Sequence, residues 1–163
     1  MVTDIQFTHV RSNGKSGLYA VLFHYVTRAE TAISIAETKS LIPYEPSSYR
    51  PPICDGKFIS PRVNFTDVKP EEGRATVAAN TGLNERYINY GLEVLVSVDR
   101  YKLKQNFPKF PRAYQIISRE PLHVIAVKTW SMGEVERRVN QGHRIVRGIY
   151  PNGIPYSYCE LTE

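Results

Sequence analysis

Two hydrophobic periods run along this chain and mark out its elements. Residues 18–25 (LYAVLFHY) form a short apolar and aromatic run behind NGKSG, which predicts a buried strand. From Thr27 to Lys39 the period changes. Ala29, Ala32, Ile33 and Ala36 recur at helical spacing, Thr27 and Glu30 suit a capping box, and the proline at 43 bars any continuation. Residues 43–61 carry five prolines and three serines, the composition of a long loop and a candidate lid. Residues 62–68 alternate weakly as a strand, and 74–79 suit one or two helical turns. The strongest strand signal lies within 88–100. There Leu92, Val94, Val96 and Val98 share one face, while Glu93, Leu95, Ser97 and Asp99 share the other. Strands are also expected at 113–117 and 123–128, a short charged helix at 132–140, and a turn at Pro151-Asn152-Gly153. Strands that follow one early helix predict an α+β fold.

At 163 residues the chain is long enough for one domain, residues 1–163, with a core that needs no disulfide or metal. Its net charge of +5 suits an anionic partner without choosing among nucleotide, nucleic acid and acidic protein. No run approaches the ~20 apolar residues of a membrane-spanning helix, and the first residues lack a basic start followed by an apolar core. The expectation is therefore no membrane partner, and a protein that is cytoplasmic or delivered into a target cell. Cys54 and Cys159 stand alone, and His9, His24, His123 and His143 are scattered, so no zinc-ligand spacing occurs. GxxxxGK[ST], GxGxxG and GxSxG are all absent, which removes the P-loop, the Rossmann dinucleotide site and the nucleophile elbow.

The candidate chemistry begins at His24-Tyr25, where the first strand ends. A neutral imidazole has one donor and one acceptor, enough to hold a ligand hydroxyl. Behind it come a helix, a proline-bearing loop, the segment NFTDVKPEEG (64–73), and a strand carrying Glu93. LFHYV (22–26), NFTDVKPEEG and LEVLVSVD (92–99) together resemble the HYD-signature ADP-ribosyltransferase toxins and, more distantly, the poly(ADP-ribose) polymerases, over about residues 18–105. The resemblance implies a split two-sheet fold with NAD as substrate in the cleft between the sheets. It implies an activity as well: an NAD-dependent ADP-ribosyltransferase or NAD glycohydrolase of the toxin or effector kind, passing ADP-ribose to a protein, a nucleic acid or water.

By that resemblance His24 holds a ribose hydroxyl, Tyr25 and Thr27 lie beside the nicotinamide, and Glu93, with Asp99 in reserve, steadies the transition state. The family stacks a tyrosine on nicotinamide at the position where this chain has Asn64, a departure that leaves stacking to Phe65 or Tyr25. Cleaving the glycosidic bond of NAD builds positive charge on the ribose, so a preplaced carboxylate lowers the barrier. Arg11, Lys15 and Arg28 flank the first motif and could meet the pyrophosphate. Asp67 suits a turn or cap role better than catalysis. A different class stays open. Eleven tyrosines interleaved with basic residues, above all in 100–112, suit stacking on bases with phosphate neutralisation. A transferase-like scaffold that binds without catalysing is a third reading, and Asn64 is its mark.

Overall fold

The computed structural model describes residues 5–12, 14–43, 61–107, 110–142, 144–149 and 155–160. The fold is α+β and mostly antiparallel sheet. Its strands are β1 (Gln6–Ser12), β2 (Lys15–Val26), β3 (Ser40–Leu41), β4 (Arg62–Thr66), β5 (Tyr90–Ser97), β6 (Lys104–Phe107), β7 (Phe110–Ile117), β8 (Leu122–His123), β9 (Ile125–Ser131), β10 (Arg144–Ile149) and β11 (Pro155–Glu160). Among the described residues three α-helices accompany them: α1 (Ala29–Thr38), α2 (Arg74–Thr81) and α3 (Met132–Asn140). A seven-stranded sheet runs in the order β6-β7-β4-β2-β5-β9, with β1 paired to β2, and two small sheets pair β10 with β11 and β3 with β8. The expected lid lies almost wholly outside the described residues, as do the Pro151-Asn152-Gly153 turn, Cys54 and His143.

Strand β2 organises the molecule. Its first half pairs with β1 (Ser12↔Lys15 through Gln6↔Val21), and along its other edge it pairs with β5 from Tyr19↔Ser97 to Val26↔Tyr90. To β4 it is joined at one residue pair, Phe23↔Thr66. Side chains alternate, so Ala20 and Leu22 face one core with Leu92, Val94 and Val96, under Ala32 and Ile35 of α1. Phe23 and Tyr25 face a second core with Val68, Val77, Ile88 and Met132. Burial on both sides explains why β5 reads as a near-continuous apolar run, with every residue from Gly91 to Val96 buried.

Helix α1 starts and stops differently from its sequence signals. No side-chain cap forms at Arg28; Thr27 donates its hydroxyl to the Tyr87 carbonyl instead, at 2.8 Å. The helix ends at Thr38, because Lys39 adopts φ 54°, and not at the proline four residues on. Ile33, placed by its spacing on the apolar stripe, is 55% exposed, and Ile35 takes the buried position. The β1–β2 hairpin turns at Gly14, whose φ of 76° would strain a side chain.

Candidate functional site at the parting of two strands

Beyond Phe23↔Thr66 the strands β2 and β4 separate, and His24 sits at that parting. Its Nδ1 lies 2.7 Å from the carbonyl oxygen of Asn64, a group that in a continued ladder would accept from backbone. A carbonyl only accepts, so Nδ1 carries the proton and donates it. The neutral ring is left with Nε2 as an acceptor. Burial pushes the His24 pKa below the ordinary histidine range, against the opposing pull of the Asn64 carbonyl. A neutral, oriented imidazole of this kind accepts a hydrogen bond from a ligand hydroxyl. The Phe65 ring, buried in the core, stands 5.8 Å from the imidazole at an interplanar angle of 59°.

The first two segments of the resemblance thus come together, since His24 contacts the backbone of the NFTD segment. Asn64 is exposed beside it. Tyr25 goes elsewhere: its ring is buried in the second core, and its hydroxyl donates to the Val68 carbonyl at 2.6 Å. Thr27 is exposed, with its hydroxyl bound to Tyr87.

Glu93 is on the other face from His24. In the β2–β5 ladder His24 lies opposite Leu92, and Glu93 lies opposite Phe23. Directly opposed residues share a face, so the carboxylate belongs with Phe23 and Tyr25. It is fully buried there, and Lys128 of β9 is its register partner on the other side. Asp99 accepts from the Leu18 backbone N–H at 2.9 Å and ties the turn after β5 to β2.

The flanking cations divide by position. Lys15 begins the strand on which His24 is the tenth residue, so at ~3.3 Å per residue the two stand ~30 Å apart. Arg11 pairs with Ser16 at the same far end. Arg28 follows β2 directly and lies 3.9 Å from Glu30, both well exposed.

Sequence reasoning missed a cluster beneath the second motif. Arg112 of β7 donates through Nε to Asp67, at 2.5 Å, and through its two terminal nitrogens to both oxygens of Glu72, at 2.9 and 3.1 Å. Asp67 is 2% exposed, so the FTDVKPEE stretch is folded around this guanidinium. Burial would raise the Glu72 pKa, but the Arg112 bonds and the Lys69 N–H together hold it below the ordinary carboxylate range. The bonds to Glu72 and to Asp67 in turn push Arg112 above the ordinary arginine value. Only the segment's turn-like, acidic composition hinted at this, because the partner lies 45 residues away in sequence. Beside it, Arg62 donates to the Gln115 side chain at 2.7 Å, and Gln115 is the register partner of Asn64.

Among the described residues no group of three metal-ligating side chains converges, and no helix is long and apolar enough to cross a membrane. No family model, no curated protein and no solved structure matches the chain.

Proposed function

We propose that this chain binds an NAD-type dinucleotide on a split-sheet scaffold like that of the ADP-ribosyltransferases, with a ribose hydroxyl donating to Nε2 of His24. The observation that carries the reading is the meeting of His24 with the Asn64 carbonyl, where β2 and β4 part after a single paired residue. A sheet joined so narrowly at its middle comes close to two sub-sheets, β6-β7-β4 and β1-β2-β5-β9, with a wedge between them. His24 stands at that wedge in the protonation state a hydroxyl needs. Stacking by Phe65 or Tyr25 has little support, because both rings are buried in apolar clusters.

Transfer of ADP-ribose to a protein, a nucleic acid or water is the second reading. The convergence of the two motifs favours it. Bond cleavage then needs a carboxylate other than Glu93, since a group enclosed on the opposite face cannot lie against the ribose that His24 holds. We therefore give Glu93 no part in the chemistry.

The test is a thermal melt with and without NAD, run beside an assay of nicotinamide release. NAD at about a hundred times its Kd stabilises the folded state by ~2.7 kcal/mol, a rise of about 5–10 °C in a chain of this length. That rise should vanish in His24→Ala and persist in Glu93→Gln. Nicotinamide release that survives Glu93→Gln would establish the transferase reading with a different acid. Absence of any NAD-dependent rise in the unsubstituted protein sinks both readings.

A further inference from the structure

On the opposite face from His24, strand β9 and helix α3 flank a half-open cleft of about 270 Å³, lined among the described residues by Lys128, Thr129, Trp130, Ser131, Glu134, Val135 and Arg138. It owes nothing to the motifs that prompted the NAD reading. Lys128 and Trp130 are two residues apart on β9 and share a face, and the Lys128 ammonium stands 4.4 Å from the centre of the Trp130 ring. Across the cleft, Glu134 takes hydrogen bonds from both Arg137 and Arg138, each at 2.6 Å. Those bonds keep Glu134 ionised far below neutral pH, with a pKa lowered to about 2. They also fix the Nε edge of Arg138 against the helix. At the corner Ser131 accepts from the Glu134 N–H at 3.4 Å, which leaves its own hydroxyl proton to donate. Among the described residues, four cations, Lys128, Arg137, Arg138 and Arg74, stand here with three carboxylates, Glu134, Glu136 and the buried Glu93.

The geometry points to this cleft as a binding site for a small phosphate monoester, held by Lys128 from the strand, by Arg138 from the helix and by the Ser131 hydroxyl between them. A point charge, a planar guanidinium and a hydroxyl set on two elements surround a tetrahedral dianion better than a planar carboxylate. The cleft is half open to solvent, and its volume of about 270 Å³ suits a compact ester. Val135 and the Trp130 edge supply apolar contact for the carbon part of such a molecule.

Trp130 is the chain's single tryptophan, so its emission reports on this cleft alone. Glycerol 2-phosphate added to the full chain at constant ionic strength should change that emission saturably, with a midpoint on the order of 1 mM. Lys128→Met should raise the midpoint about tenfold, the loss of one charge-assisted contact, and Ser131→Ala about threefold. Glycerol and acetate should give no saturable change. Because Lys128 neighbours a buried acid, a melt accompanies each variant; if Lys128→Met is unfolded at the assay temperature, Arg138→Gln takes its place. A wild-type response that does not saturate overturns the site. So does a midpoint left unmoved in the folded variants, or an equal response to acetate.

Discussion

Removing the Arg112 guanidinium should be among the most damaging single changes outside the apolar cores. Arg112→Met keeps most of the stem's volume but leaves Asp67, 2% exposed, without the group that offsets its burial. Breaking a buried ion pair by deleting one partner typically costs ~3–5 kcal/mol. Water reaches this pair, since Arg112 is 22% exposed and Glu72 31%, so the lower end applies, about 3 kcal/mol. In a chain of this length that is a fall of about 6–12 °C in Tm. Glu72→Gln, which spares the buried partner and removes only the more exposed fork, should cost ~1 kcal/mol. Urea unfolding at pH 7 measures these proteins, and Asp67→Asn with Arg112→Met/Asp67→Asn completes the cycle for the buried pair. The double variant should lose at least ~1 kcal/mol less than the sum of the singles, because the second substitution removes the charge that the first one stranded. Additive losses, or a loss under ~1 kcal/mol for Arg112→Met, would refute the reading of a charge held in place by its partner.

Other substitutions probe separate features. Gly91→Ala places a methyl 2.7 Å from Cε1 and 3.1 Å from Cδ1 of Tyr25. That ring is pinned by its bond to Val68, so a loss of ~1–3 kcal/mol is expected; Tyr25→Leu in the same chain should recover part of it, and no recovery would mean the clash is not with that ring. Lys39→Gly relieves the left-handed residue that closes α1 and should raise Tm by about 2–4 °C, roughly 1 kcal/mol; a fall in Tm counts against strain there. His24 has its folded pKa below the unfolded one, so its contribution to stability is complete above the ordinary histidine value, ~6.5, and declines as pH falls beneath it. His24→Gln should therefore flatten the loss of stability between about pH 6.5 and 5; equal losses in both proteins by urea unfolding would show that burial does not suppress protonation at this position.

What the sequence disclosed, and what it hid, divides by the range of the interaction. Helix α3 falls on residues 132–140, where a short charged helix is expected, and β5 keeps the alternation of Leu92, Val94 and Val96 opposite Glu93 and Leu95. Both are local signals, one of charge and one of side-chain period. The first hairpin was also within reach, since Asn13-Gly14 is the dipeptide that a two-residue turn favours, yet it reads equally as a boundary. The Arg112 cluster and the pairing of Gln115 with Asn64 depend on β7 lying beside β4. Nothing local encodes that neighbourhood. Capping failed at Thr27 for a similar reason, because a carbonyl 60 residues away competes for its hydroxyl.

Strand register makes the separation of His24 from Glu93 a property of the whole sheet and not of one rotamer. A side chain in a strand changes face only when its strand slips by one residue. Were β5 to slip so that Glu93 came opposite His24, Leu92, Val94 and Val96 would leave the core they share with Leu22, Ile35 and Leu122. Glu93 and Leu95 would enter it in their place. The carboxylate would then lie in an apolar core far from Lys128, and Asp99 would lose its bond to Leu18. The irregularity in β5 does not relieve this, because the bulge between Glu93 and Val94 lies in the pairing with β9, while the β2 ladder runs unbroken from Tyr19 to Val26. Any acid that acts on a ribose held by His24 is then to be sought on the β4–β7 side of the sheet. A survey of Asp and Glu variants for lost nicotinamide release should therefore begin there, and Glu93 belongs in it as the control expected to stay active.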